Sequence, residues 1–143
     1  MGPGTGGVAT VTNVKQGYAH RKMAARAVIM DPALTVHTPE WIWLSAGVRS
    51  FDQAFETLGS LNSNDWYDGM AMNAVRLLSQ GLPRVKANPN DLEARQMCQM
   101  GAWCSMTSIV CGLPMGISHA VGHALGGSFD VPHGYTSCVM APF

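Results

Sequence analysis

His119, His123 and His133 fall within fifteen positions of one another, in a chain with only two further histidines. Near neutral pH an imidazole takes up and gives back a proton, or ligates a divalent ion. His119 and His123 are four residues apart, so on a helix they project from one face. Gly126 and Gly127 allow the chain to turn back, and Pro132 stiffens the approach of His133. Brought together, the three rings would form an acid/base cluster or part of a site for one divalent ion. The same spacing also suits histidines that simply pack or cap a helix. His20 and His37, in a polar loop and just before a helix start, are expected at the surface.

The elements that must position these rings are mainly helices. Thr38-Pro-Glu40 predicts a helix start, with Thr as N-cap and Pro in the first turn, and the helix runs to about Gly59 with an interruption near Gly47. Asn64-Asp65 opens a second helix with Met70, Ala74, Val75 and Leu78 on one face and Gly81 near its end. Asn90 with Glu93 fits a capping box for a third, through Cys111 and closed by Gly112-Leu-Pro114. A short helix over 116–125 carries His119 and His123 and is closed by Gly126-Gly127. Strands are few: a β-prone stretch Val8–Thr12 and a short buried strand Ala25–Met30, stopped by Asp31-Pro32. The chain therefore divides into a Gly-rich N-terminal segment with short strands, 1–37, and one helical unit, 38–143. Trp41, Trp43 and Phe51 recur at near-helical spacing and read as core, or as surface awaiting cover.

With 143 residues the chain is long enough for one domain with a real core. Charged residues are only 13% and apolar ones 47%, and an ordinary domain carries roughly twice that charged share. Some apolar surface is thus expected against a second copy or a partner chain, with a dimer as the simplest form. Zero net charge and the lack of a basic run exclude an electrostatic footprint for nucleic acid or for a polybasic membrane contact. No apolar run reaches the roughly 18 residues of a membrane span, and the first residues lack the basic and apolar regions of a signal peptide. Cys98, Cys104, Cys111 and Cys138 show no C-x-x-C spacing and read as reduced, mostly buried thiols of a cytoplasmic protein. Gly2 to Gly7 matches G-x-G-x-x-G in letters, but without a preceding strand or a following helix it is not read as a dinucleotide site.

The run His123-Ala-Leu-Gly-Gly-Ser-Phe-Asp-Val-Pro-His-Gly134 resembles the metal-site region of the iron-containing alcohol dehydrogenases, and is most similar to the maleylacetate reductase branch. Val28-Ile-Met-Asp-Pro-Ala-Leu-Thr35, Thr38-Pro39, Ser45-Ala-Gly47, Ala54-Phe-Glu56 and Asn90-Asp-Leu-Glu-Ala-Arg95 extend the resemblance over nearly the whole chain. It implies the first part of a helical domain that, in the family, holds the metal beside a separate nucleotide-binding domain. The family's pyrophosphate-binding segment and final helices have no counterpart here, so unaided hydride transfer is not expected. The resemblance maps two family metal ligands onto His119 and His133, and a neighbour of the substrate site onto His123. The other two ligands, an Asp and a His four apart, fall at Arg49 and Gln53. A guanidinium repels a cation, and a carboxamide is a weak donor. No resident cofactor is therefore expected, with weak Fe or Zn binding at His119 and His133 as the most the ligands allow. Arg49 is read either as a fixed charge that holds an anionic group or as a partner for Asp52 or Glu56. Asp52 itself, rotated about 100° from the Gln53 position, is expected to point elsewhere.

Three functions are compatible with these residues. In the first, the helical domain works without nucleotide, with His119, His123 and His133 as acid/base groups and Arg49 as anion holder. Its substrate is a small oxygenated organic molecule that is isomerised, dehydrated or cyclised. In the second, the chain is one part of an NAD(P)-dependent alcohol dehydrogenase or maleylacetate reductase whose nucleotide domain comes from another polypeptide. The third is a non-catalytic remnant or binding module.

Overall fold

The computed structural model describes residues 6–10, 15–19, 27–129 and 131–141. Two short strands, β1 (Gly6–Thr10) and β2 (Lys15–Ala19), form an antiparallel hairpin with Gly6 opposite Ala19 and Thr10 opposite Lys15. β1 starts two residues before the stretch expected from sequence, and β2 was not expected. The Gly-rich run thus leads into a strand. The strand expected over 25–30 does not form: residues 27–30 carry no regular structure, and residues 25 and 26 lie outside the described part. A 3-10 turn, Ala33–His37, precedes the helical body.

Five helices follow: α1 (Glu40–Leu58), α2 (Asp65–Ala87), α3 (Leu92–Val110), α4 (Ile117–Ser128) and α5 (His133–Met140). α1 lies against α2, α3 and α5, α2 packs along α3, and α4 packs on α5. The starts follow local chemistry. The Asn64 side chain accepts from the N–H groups of Trp66 and Tyr67 at 3.1 and 3.0 Å. Asp91, one residue after the expected Asn90, caps α3 by accepting from Ala94 N–H at 3.0 Å.

Tertiary packing moves several helix ends away from the expected positions. α2 continues past Gly81 and Pro83 because Ala71, Ala74, Leu78 and Val85 form one buried stripe that persists to its last turn. α1 is not interrupted at Gly47. The missing side chain there leaves room for Leu82 of α2 to lie directly on the helix backbone. α4 runs through Gly126 and Gly127, and Phe129 N–H closes it on Leu125 at 3.0 Å. α5 begins at His133, immediately after Pro132.

The core consists of two adjoining clusters. One joins Ala54, Ala71, Ala74 and Cys104, with Leu58, Met70 and Val75 against it. The other joins Leu78, Val85, Ala94 and Cys98, with Trp43, Phe51 and Leu82. Trp43 and Phe51 are therefore core-packing, whereas Trp41 is exposed and stacks on Tyr135 at 5.8 Å. No helix of the described residues is long and apolar enough to cross a membrane. All four cysteines are free thiols, with Cys98 and Cys104 buried and Cys111 exposed.

Candidate functional site

Where α4 and α5 meet α1, apolar packing gives way to a buried polar cluster. α1 contributes Arg49, Asp52, Gln53 and Glu56. On a helix of 3.6 residues per turn, Arg49, Asp52 and Glu56 stand at i, i+3 and i+7 and so share one face. α4 adds Ser118 and His119, and α5 adds Ser137. Arg49, Asp52, Gln53 and His119 are each below a tenth exposed, and Ser137 is fully buried. Helices α4 and α5 reach this close because Gly122 has no side chain. A Cβ there would sit 2.9 Å from Thr136 Oγ1 and 3.5 Å from Arg49 Nη1.

The hydrogen bonds form two neighbouring chains. Arg49 Nη1 donates to Ser137 Oγ at 3.0 Å, and Ser137 Oγ donates to Asp52 Oδ2 at 2.7 Å. Ser118 Oγ donates to the same Asp52 oxygen at 2.6 Å. In the second chain, Glu56 takes the His119 backbone N–H on Oε1 at 3.2 Å and meets His119 Nδ1 with Oε2 at 2.5 Å. A carboxylate is an acceptor only, so Nδ1 carries the proton and Nε2 presents a lone pair. Gln53 Nε2 lies 3.4 Å from that Nε2 and has the right polarity to donate to it.

Burial lowers the His119 pKa, and the Arg49 charge lowers it further against the opposing pull of Glu56 and Asp52. The neutral ring is thereby favoured. Burial also lowers the Arg49 pKa, opposed by Asp52 and Glu56. Guanidinium remains charged under ordinary conditions.

Of the residues singled out from sequence, the structure brings Arg49 and His119 together. His123 does not join them: it is exposed, one turn further along α4. The buried side of α4 passes through His119 and Gly122, and position 123 lies about 100° beyond 122, toward solvent. His133 opens α5, but its side chain falls outside the described residues, as does His20. His37 is exposed, as expected. Asp52 does not point elsewhere; it lies at the centre of the cluster. The 100° offset from Gln53 does not turn it away, because Arg49 and Glu56, at i−3 and i+4, share its face. That i, i+3, i+7 spacing was the available signal for both carboxylates. Ser118 and Ser137 gave none.

Asp52, Glu56 and His119 each bring one donor atom within 4.8 Å of the others, the spacing of a possible metal site. The surroundings fit a resident divalent ion poorly. The imidazole nitrogen facing the carboxylates is occupied by Glu56, and two serines hold one Asp52 oxygen. Arg49 already places a positive charge among the same groups. Arg49 offsets one of the two carboxylates, and the imidazole and the serines take up the oxygens that would otherwise face an ion.

Residues 44–143 match the family model described as Fe-containing alcohol dehydrogenase family, C-terminal. The chain is 34% identical over 134 residues to a maleylacetate reductase from Pseudomonas sp. (strain P51), covering 93% of this chain and 38% of that protein. It is 31% identical over 136 residues to long-chain-alcohol dehydrogenase 1 from Geobacillus thermodenitrificans (strain NG80-2), covering 95% and 34%. The crystal structure of maleylacetate reductase from Rhizobium sp. strain MTP-10005 superposes with a TM-score of 0.89 at 30% identity, over 97% of this chain and 39% of that one. The chain belongs to the Fe-containing alcohol dehydrogenase family and corresponds to the C-terminal helical domain. It spans about two-fifths of the length of the maleylacetate reductases it matches.

Proposed function

We propose that this chain is the substrate-side helical part of an oxidoreductase of the maleylacetate reductase kind, acting with an NAD(P)-binding part of the same protein or of another chain. The observation that carries the reading is the buried pairing of a fixed guanidinium, Arg49, with an imidazole whose tautomer is set by Glu56. The substrate is a small oxygenated carboxylate. The nicotinamide supplies the hydride when bound. Arg49 holds negative charge on the substrate or on an oxygen as it develops, and His119 accepts and returns a proton at Nε2. In a site shielded from water both effects are stronger than in solution. The similarity to maleylacetate reductases supports reduction over a non-catalytic role.

Nucleotide-independent isomerisation, dehydration or cyclisation by the same residues is the second reading. It draws on the Glu56–His119 pair, which needs no cofactor to orient it. The two are separated by assaying NADH oxidation with maleylacetate against turnover without nucleotide, using the protein in its native assembly. Arg49→Gln and His119→Asn are each expected to lower kcat at least about 100-fold with the fold intact by circular dichroism. Unchanged turnover in both variants would discard the site.

A further inference from the structure

Arg49 and Asp52 stand one turn apart on the same face of α1, a spacing at which a guanidinium and a carboxylate can pair directly. Here a third group stands between them. Both reach to Ser137 of α5, Arg49 donating to its hydroxyl at 3.0 Å and that hydroxyl donating to Asp52 Oδ2 at 2.7 Å. All three side chains are buried. A hydroxyl has one proton and two lone pairs, whereas a carboxylate can only accept. The Ser137 proton therefore points at Asp52, and a lone pair faces Arg49. Without the carboxylate the proton could turn toward Arg49 and meet N–H groups instead of receiving one.

The carboxylate is itself held. Ser118 of α4 donates to the same Oδ2 at 2.6 Å, so Asp52 is gripped from both helices that settle on α1. The backbone of α4 also lies close to the guanidinium, since a Cβ on Gly122 would come within 3.5 Å of Arg49 Nη1. Charge assists both ends of the Arg49–Ser137–Asp52 chain, and such bonds polarise and strengthen one another. A guanidinium carries five N–H donors in a rigid plane. Fixing one of them fixes the direction of the rest.

We propose that Asp52, acting through Ser137, is a positioning residue for Arg49, holding the guanidinium in the one orientation that meets a substrate carboxylate. The inference rests on the reading of Arg49 as the holder of substrate negative charge. It differs in sign from the simpler role of counter-ion. A carboxylate that only neutralises Arg49 weakens the attraction for an anion, so removing it would tighten binding. A carboxylate that orients Arg49 strengthens binding, so removing it loosens the complex.

Two measurements on the full chain separate these roles, with folding of each variant checked by circular dichroism. The first is nitrogen NMR of the Arg49 side chain, which is expected to show hindered rotation of the guanidinium in the parent protein and faster rotation in both Asp52→Asn and Ser137→Ala. The second is calorimetric titration with succinate, a dicarboxylate that needs no nucleotide. Asp52→Asn and Ser137→Ala are each expected to weaken succinate about tenfold. The double variant should lose no more than either single one, because both act on one chain of bonds. Tighter succinate binding by Asp52→Asn, additive losses in the double variant, or unchanged guanidinium rotation in Asp52→Asn would each overturn the proposal. Succinate binding that survives Arg49→Gln would instead reject Arg49 as the anion holder, while the rotation measurement still decides whether Asp52 orients it.

Discussion

Glu56 decides what His119 can do. With Glu56 on Nδ1, the ring has one basic nitrogen and one orientation, and a buried charge-assisted bond of this kind is worth about 2 kcal/mol. Glu56→Ala is expected to lower unfolding stability by about that much in denaturant titration, and nitrogen NMR should show the His119 ring losing its single tautomer. A loss below about 0.5 kcal/mol would mean that the pair is not held as described. Arg49 makes a separate prediction about metal. The purified protein should carry well under one equivalent of Fe or Zn by elemental analysis. Replacing both substituted ligand positions, Arg49→Asp with Gln53→His, should raise metal uptake toward one equivalent, and no gain would show that charge is not what keeps the ion out. Cys98 titrates far from this cluster. Its thiol pKa is raised from 9.0 to about 11 by burial, so the folded state favours the neutral form more than the unfolded state does. That contribution is complete below pH 9 and is lost as pH rises toward 11. Cys98→Ala should flatten this alkaline decline. A thiol reagent should label exposed Cys111 first and Cys98 only on unfolding.

At the level of elements, the site depends on α4 and α5 approaching each other over a position without a side chain. Gly122→Val should push α4 away from Thr136 and Arg49, costing about 1–3 kcal/mol as an overpacked contact. The measurement is thermal unfolding, together with any change in reactivity at the His119 cluster; a neutral effect would mean that α4 shifts freely. Helices α1 to α3 were legible in sequence because their signals are local: Thr38-Pro39 ahead of Glu40, although Pro39 and not Thr38 takes the cap position, Asn64 as cap, and the face of Met70, Ala74, Val75 and Leu78. Their far ends were less so. Gly47, Gly81 and the 126–127 pair looked like stops because glycine weakens an isolated helix. In the folded chain each lies in a helix that packing sustains.

For the whole molecule, Trp66, Ile117, Phe129 and Val139 are each more than half exposed, in a chain with few charges. This supports the proposal that a partner chain, or a second copy, covers part of the helical body. Sedimentation at micromolar concentration is expected to give a particle heavier than 15.3 kDa. A well-behaved single chain that fails to bind a hydrophobic dye would count against it.

Sequence by itself determined the family, the helical class and two residues of the cluster, Arg49 and His119, because these rest on residue types in order along the chain. It also placed Asp52 and Glu56 on α1 and offered them as partners for Arg49, but gave no sign that Glu56 meets His119. Only the tertiary structure decided that Glu56 orients His119 across 63 positions, that Asp52 joins Arg49 through Ser137, and that His123 faces outward. Hydrogen bonds between distant segments follow from how α4 and α5 settle on α1, and no spacing within a single helix encodes that approach.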